Sequence, residues 1–357
     1  MRSYKKKPSG GNDLFVGIDV HRHNWHVTLL TEDVEVFSGV ISGNWDALKR
    51  LLERYRDCWL DKSFIKAVYE AGYFGFGLYD NLTEWGAHCI VTPPSKILRE
   101  QGNRVKTDRL DSRKLAYLLS KGLLKEVWVP SPEARCHRQV IRRRRQLITD
   151  RVRTQNRIKA ELQFYGLGLP EDDSRWSKKF VDNLRCIKFG NCWLQESFTR
   201  LLEEYDFLTG QIILQTRLLK QLSEIEPYRG NMRILKGIYR FGLITSMEIL
   251  LEIGDFSRFP TGEQLASYIG LTPSQYSSGD KVWMGRITRI GKNSVRGVLI
   301  QASWRLIAQD EELKVKYTAI KARAGGKRAI VAVARNLLLR CRKMILNGQS
   351  HDKALVA

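Results

Sequence analysis

The chain has 357 residues, 43% of them hydrophobic, which suits two or three globular domains and excludes a disordered tail. A formal net charge of +22 calls for a polyanion, with nucleic acid the leading partner and an acidic membrane surface the competitor. No apolar run approaches the ~20 residues of a spanning helix, and the basic residues 1–7 lack the apolar core of a signal peptide, so a cytoplasmic protein with no membrane partner is expected.

The run Leu14–Val20 reads as a strand buried on both faces that ends in one acid, Asp19. A carboxylate there stays charged only beside a cation or several donors; the plain alternative is a turn aspartate bonded to its own backbone. Residues 25–30 form a second strand-like run, joined to the first by the polar turn His21-Arg22-His23-Asn24, and a third strand spans about 34–41. Asn44 then caps a helix over 45–55. Residues 64–69 read as a strand ending at Glu70, followed by a glycine-bearing loop, a helix over 76–85 and a short strand at 88–91. Strands alternating with helices predict an α/β domain, with Asp19 and Glu70 at strand ends where such sheets place ligands.

Thr107 caps the next helix, and Asp108 and Asp111, three apart, project from one face of its first turn. Either acid alone could serve the helix dipole. Together with Asp19 and Glu70 they form a carboxylate set whose mutual repulsion a divalent cation would relieve, and oxygen donors without His or Cys select Mg²⁺ or Mn²⁺.

From Pro130 the composition changes. Residues 135–162 predict a long helix dense in cations: Arg142, Arg143, Arg144, Arg145, Arg151, Arg153, Arg157 and Lys159. A solvated charged face is the plain reading, but so few acids accompany these cations that phosphate binding, to folded RNA or duplex DNA, fits better. Residues 193–225 read as a helix with an apolar stripe through Leu201, Leu202, Tyr205, Leu208, Ile212 and Leu219, suited to a coiled coil, a two-helix hairpin or plain packing, with dimerisation one use. The last third is mostly helical. A helix, a turn at Arg240-Phe241-Gly242 and a second helix could hold a DNA phosphate at exposed amides. Residues 270–279 read as a loop containing Ser277 and Ser278, and 285–292 as a short basic hairpin with Arg286, Arg289 and Lys292; helices follow over 293–308 and 327–346. Serines in such a loop are usually turn formers, and no histidine nearby could activate one. The six cysteines show no Cys-x-x-Cys pair, so free thiols rather than a metal site are expected.

Asp19, Glu70 and the Lys106-Thr107-Asp108-x-x-Asp111 segment, followed by Ile253-Gly254-Asp255-Phe256, Tyr268-Ile269-Gly270-Leu271-Thr272-Pro273, Tyr276-Ser277-Ser278-Gly279 and Gly285-x-Ile287-x-x-x-Gly291, resemble the Asp-Glu-Asp-Asp transposases of insertion sequences and the related Piv-type DNA invertases. The resemblance implies a RuvC/RNase H-like α/β domain over 1–130, an Arg-rich helical, coiled-coil-like region over 131–232 and a mostly α C-terminal domain over 233–357 carrying a serine loop. It also implies a recombinase guided by a structured bridge RNA, acting on donor and target DNA as a dimer or tetramer, associated with the nucleoid of a prokaryote. Mg²⁺ or Mn²⁺ would sit on Asp19, Glu70, Asp108 and Asp111, and Ser278, with Ser277 as runner-up, would form a covalent phosphoserine. The turn at Arg240-Phe241-Gly242 departs from the family, where two glycines often flank the apolar residue. Two other readings stand: a metal-dependent nuclease of the Holliday-junction or RNase H type using water as nucleophile, and a basic RNA-binding protein without catalysis.

Overall fold

In the computed structural model, which describes residues 13–31, 34–55, 64–97, 107–169, 176–278, 281–288 and 290–349, the run Leu14–Val20 is strand β1. Its side chains alternate. Leu14, Val16 and Ile18 enter one core with Val27 and Leu29 of β2 (Asn24–Thr31) and with Ile65, Ala67 and Tyr69 of β4 (Ile65–Glu70). Helices α1 (Trp45–Glu53) and α2 (Gly77–Glu84) complete that core with Leu48, Leu51, Leu52, Leu78 and Leu82. β1 pairs antiparallel with β2 and parallel with β4. With β3 (Val34–Ser42) and β5 (His88–Thr92) the sheet order is β3-β2-β1-β4-β5. The mixed sheet follows from the connections: the tight turn after β1 forces an antiparallel neighbour, whereas the route through α2 returns β5 parallel to β4.

Helix α3 (Asp108–Ser120) covers the opposite face, where Leu115 packs on Val68 and Ile90. Gly17 permits this approach, since a methyl carbon there would lie 2.0 Å from the carbonyl oxygen of Ser112 and 2.5 Å from the amide nitrogen of Ala116. The Ser112 hydroxyl in turn hydrogen-bonds His26 Nδ1 and Thr28 Oγ1 of β2, each at 2.8 Å, which fixes the helix along the sheet.

The chain divides into two compact units, Met1–Val129 and Pro130–Ala357. The second is built on α4 (Pro132–Phe164), started by Ser131 as cap and Pro132 in its first turn, and α6 (Cys192–Leu222). Leu147 meets Leu208 and Ile212, whereas Ile158 and Leu162 meet Phe198, Leu202 and Tyr205, so the two helices run antiparallel. The apolar stripe of α6 is thus spent within the chain, and α5 (Lys178–Cys186) packs at the same end through Phe180, Val181 and Leu184. A larger core gathers α7 (Tyr228–Lys236), α8 (Leu243–Ile253), α9 (Gly262–Ile269), α10 (Asn293–Leu306), α11 (Glu311–Ala324) and α12 (Gly326–Asn347). α8 is its centre: every residue from Ser246 to Ile253 is buried.

Two expectations change here. Residues expected as a loop form strand β6 (Pro273–Ser278), and its antiparallel partner β7 (Lys281–Ile287) replaces the basic hairpin expected over 285–292, with Ser278 opposite Lys281. The ladder gives these serines backbone partners that their turn-forming composition does not announce. Lys106, Gly279 and Arg289 lie outside the described residues. Among the described residues no helix is long and apolar enough to cross a membrane, and Cys89, Cys136, Cys186, Cys192 and Cys341 are free.

Candidate metal centre and nucleic-acid interface

Strand alternation puts Gly17 and Asp19 of β1, and Val68 and Glu70 of β4, on the face that α3 covers. Glu70 ends β4, one position beyond the last parallel pair, Ile18 with Tyr69. Asp108 and Asp111 open α3 behind the cap Thr107, whose hydroxyl accepts from the amide of Leu110. Gly17 and Ser112 dock that first turn beside the end of β1.

Asp19 and Asp108 meet there across a third residue. His21 Nε2 lies 3.3 Å from Asp19 Oδ2 and 3.5 Å from Asp108 Oδ2, and the three groups can offer donor atoms all within 4.8 Å of one another. Burial pushes the Asp19 carboxyl above its usual range; His21 pulls it down, and Asp108 and Asp111 push it up again. The repulsion expected among these acids is therefore present, and a divalent cation would relieve it. Asp19 and Asp108 of the four expected carboxylates converge, with His21 beside them, whereas Glu70 and Asp111 are not part of that group; the two carboxylates offer oxygen donors that fit such an ion. Sequence reasoning treated His21 as part of a polar turn; the sharp reversal into β2 folds it back over the acids. His26, the partner of Asp19 across the hairpin, is held below the usual histidine range chiefly by burial, which suits a neutral ring bonded to Ser112.

The cations of the second unit divide by partner. Arg142 makes a bidentate pair with Glu252, at 2.9 Å through both Nε and Nη2, while Arg145 reaches the same carboxylate at 2.7 Å and Glu248 at 3.5 Å. Lys292 joins Glu252 at 3.3 Å. Burial alone would raise the Glu252 carboxyl, but Arg142, Lys292 and Arg145 outweigh it and hold it at about 2; burial prevails at Glu248 and raises it. Both acids lie in the buried α8, so Arg142, Arg145 and Lys292 tie α4 and the base of the serine hairpin to the centre of the core. Arg144 donates to Thr216, Arg157 pairs with Glu204 and Arg153 with Asp150. Arg143, Arg151, Lys159 and Arg286 have no carboxylate partner among the described residues, and Arg143 and Arg286 are exposed. On the hairpin, Tyr276 and Trp283 face each other across the ladder with 71% and 69% of their surface open to solvent, an aromatic pair that invites stacking. Ser278 ends β6 in this second unit; the side chains of Ser277 and Ser278 lie outside what the structure describes.

Residues 16–166 match a family model of Asp-Glu-Asp-Asp transposases of the IS110 type. Residues 232–318 match a second model, the transposase IS116/IS110/IS902 family. A putative transposase (y4qE) of Sinorhizobium fredii is 32% identical over 242 residues, 66% of this chain and 57% of the relative. The transposase for insertion sequence element IS1533 of Leptospira borgpetersenii is 26% identical over 96% of this chain and 99% of its own length. That for insertion sequence element IS1111A of Coxiella burnetii is 26% identical over 64% of each chain. The chain thus spans little more than half of the first relative and nearly all of the second.

Proposed function

The chain belongs to the IS116/IS110/IS902 family of transposases, and from that premise we propose that it is the recombinase of a mobile insertion sequence, cutting and rejoining DNA through a covalent phosphoserine under the guidance of a structured RNA. The observation that carries the reading is the convergence of Asp19 and Asp108 from a strand end and a helix start. The strand order β3-β2-β1-β4-β5 supports a RuvC/RNase H-like reading of the first unit.

Asp19, Asp108, Asp111 and Glu70 would hold Mg²⁺ or Mn²⁺, which when bound supplies positive charge to a scissile phosphate and so lowers the barrier to displacement. The rest falls to the protein. Ser278 Oγ would form a new P–O bond as the bond from phosphorus to the leaving deoxyribose oxygen breaks, the serine proton passing to that oxygen or to solvent. One ester replaces another, so the intermediate can be resealed onto a second DNA end. Tyr276 and Trp283 would stack on bases beside the phosphate, and Arg286 would neutralise the backbone.

Arg143, Arg151, Arg153, Arg157 and Lys159 form the candidate RNA grip, with Arg142, Arg144 and Arg145 anchoring their helix from within. The division at 131–232 and 233–357 separates that grip from the serine-bearing part. Exposed Phe207, Leu214, Leu218 and Ile225, on the outer side of α6 and just beyond its end, support assembly with a second copy.

The test is cleavage of DNA carrying the element's ends, using protein purified with its own RNA. Divalent-dependent cutting that Asp19→Asn abolishes while DNA binding persists is expected. Cutting that leaves only free DNA ends would favour the water-using nuclease, and cutting that ignores divalent cations would overturn the carboxylate site.

A further inference from the structure

We propose that His21 is a direct ligand of the divalent cation, giving the site a nitrogen donor and a preference for Mn²⁺ over Mg²⁺; the inference rests on the carboxylate site proposed above and deepens it. The imidazole Nε2 stands between the two acids, at 3.3 Å from Asp19 and 3.5 Å from Asp108. All three donors lie within 4.8 Å of one another. One ion with ligand distances of ~2.0–2.3 Å can reach donors so spaced.

The placement of His21 does not depend on the acids. Its amide donates to the carbonyl of Asn24 at 3.2 Å, and the indole of Trp25 donates to its carbonyl at 3.1 Å. Trp25 is itself buried in the sheet core, so the turn is held from beneath. The imidazole side chain, 47% exposed, is not needed to fill that core. Serine or asparagine would serve the turn as well. An imidazole directed at two carboxylates therefore has a use beyond closing the hairpin.

The chemical consequence is a change of metal. Carboxylates alone make a hard oxygen site suited to Mg²⁺; one neutral imidazole shifts the preference toward Mn²⁺ and later first-row ions. A site holding Asp19, Asp108 and His21 would still take Mg²⁺, with water in place of the nitrogen, but less tightly.

Pulsed electron paramagnetic resonance of the full-length protein loaded with Mn²⁺ reads this directly, because a bound imidazole nitrogen modulates the electron spin echo. The wild type is expected to give that modulation. His21→Ala is expected to bind Mn²⁺ roughly tenfold or more weakly, to lose the modulation, and to change little in its affinity for Mg²⁺. His21→Asn, which preserves a turn-forming side chain, provides the same comparison should the alanine variant misfold. Bound Mn²⁺ without nitrogen modulation in the wild type would overturn the assignment and leave the carboxylate site standing. Modulation that persists in both variants would also overturn it, since another histidine would then be the ligand. Absence of Mn²⁺ binding by the wild type would overturn the carboxylate site and the inference together.

Discussion

Gly17→Ala is the smallest change that should dismantle the proposed metal centre without touching a proposed ligand. The added carbon would sit 2.0 Å from the Ser112 carbonyl oxygen, 2.5 Å from the Ala116 nitrogen and 3.0 Å from its Cβ. An ordinary carbon–oxygen contact needs ~3.3 Å, so α3 would have to recede by more than about 1 Å. The obstacle is backbone, and no rotamer relieves it. Overpacking of this kind costs about 1–3 kcal/mol, here toward the upper end. The functional loss should be larger than the loss of stability. α3 carries Asp108 and Asp111, and a metal site tolerates errors of only ~0.2 Å in ligand distance. Thermal unfolding followed by circular dichroism, with and without Mn²⁺, separates the two effects. The wild type should be stabilised by the ion; the variant should melt lower and gain nothing from it. A variant with unchanged melting and wild-type Mn²⁺ affinity would refute the packing argument.

Glu252→Ala leaves Arg142, Arg145 and Lys292 around an uncompensated buried site and should cost about 3–5 kcal/mol in denaturant unfolding. Because the folded carboxyl, held at about 2, lies below its unfolded value, its stabilisation is complete above the unfolded value and is lost as the pH falls toward 2. Melting of the wild type should therefore decline over that acidic interval, and Glu252→Gln should flatten the decline. Arg143→Ala and Lys159→Ala should leave stability unchanged while each lowers the salt dependence of RNA binding by up to about one unit of slope, measured by filter binding at several salt concentrations. Arg240 sits in the left-handed region at φ +62°, so Arg240→Gly should raise unfolding stability by up to about 1 kcal/mol.

The first unit was legible where burial and periodicity coincide. A strand covered on both faces must be apolar throughout, which is why Leu14–Val20 stood out and why Asp19 at its end was conspicuous. Thr107 advertised the start of α3 and the placement of its two acids. The position of His21 between Asp19 and Asp108 was not legible, because it depends on the hairpin folding back and not on any spacing. The serine strand was hidden by turn-forming residues, because Pro273-Ser274-Gln275-Tyr276-Ser277-Ser278 lacks the apolar alternation of a strand. The inward use of Arg142 and Arg145 depends on acids more than 100 positions away. Its sequence trace is Glu248 and Glu252, four apart in a helix with no other charged residue: buried acids require buried cations.

The covalent intermediate tests the proposed serine chemistry most directly. Protein, its RNA and DNA bearing the element's ends would be combined with Mn²⁺ or Mg²⁺, quenched with denaturant and digested, and the nucleotide-bearing peptide identified by mass spectrometry. The expected adduct is on Ser278, absent from Ser278→Ala and from Asp19→Asn although both bind DNA. DNA cut with no protein attached, or an adduct that survives in Ser278→Ala, would contradict it.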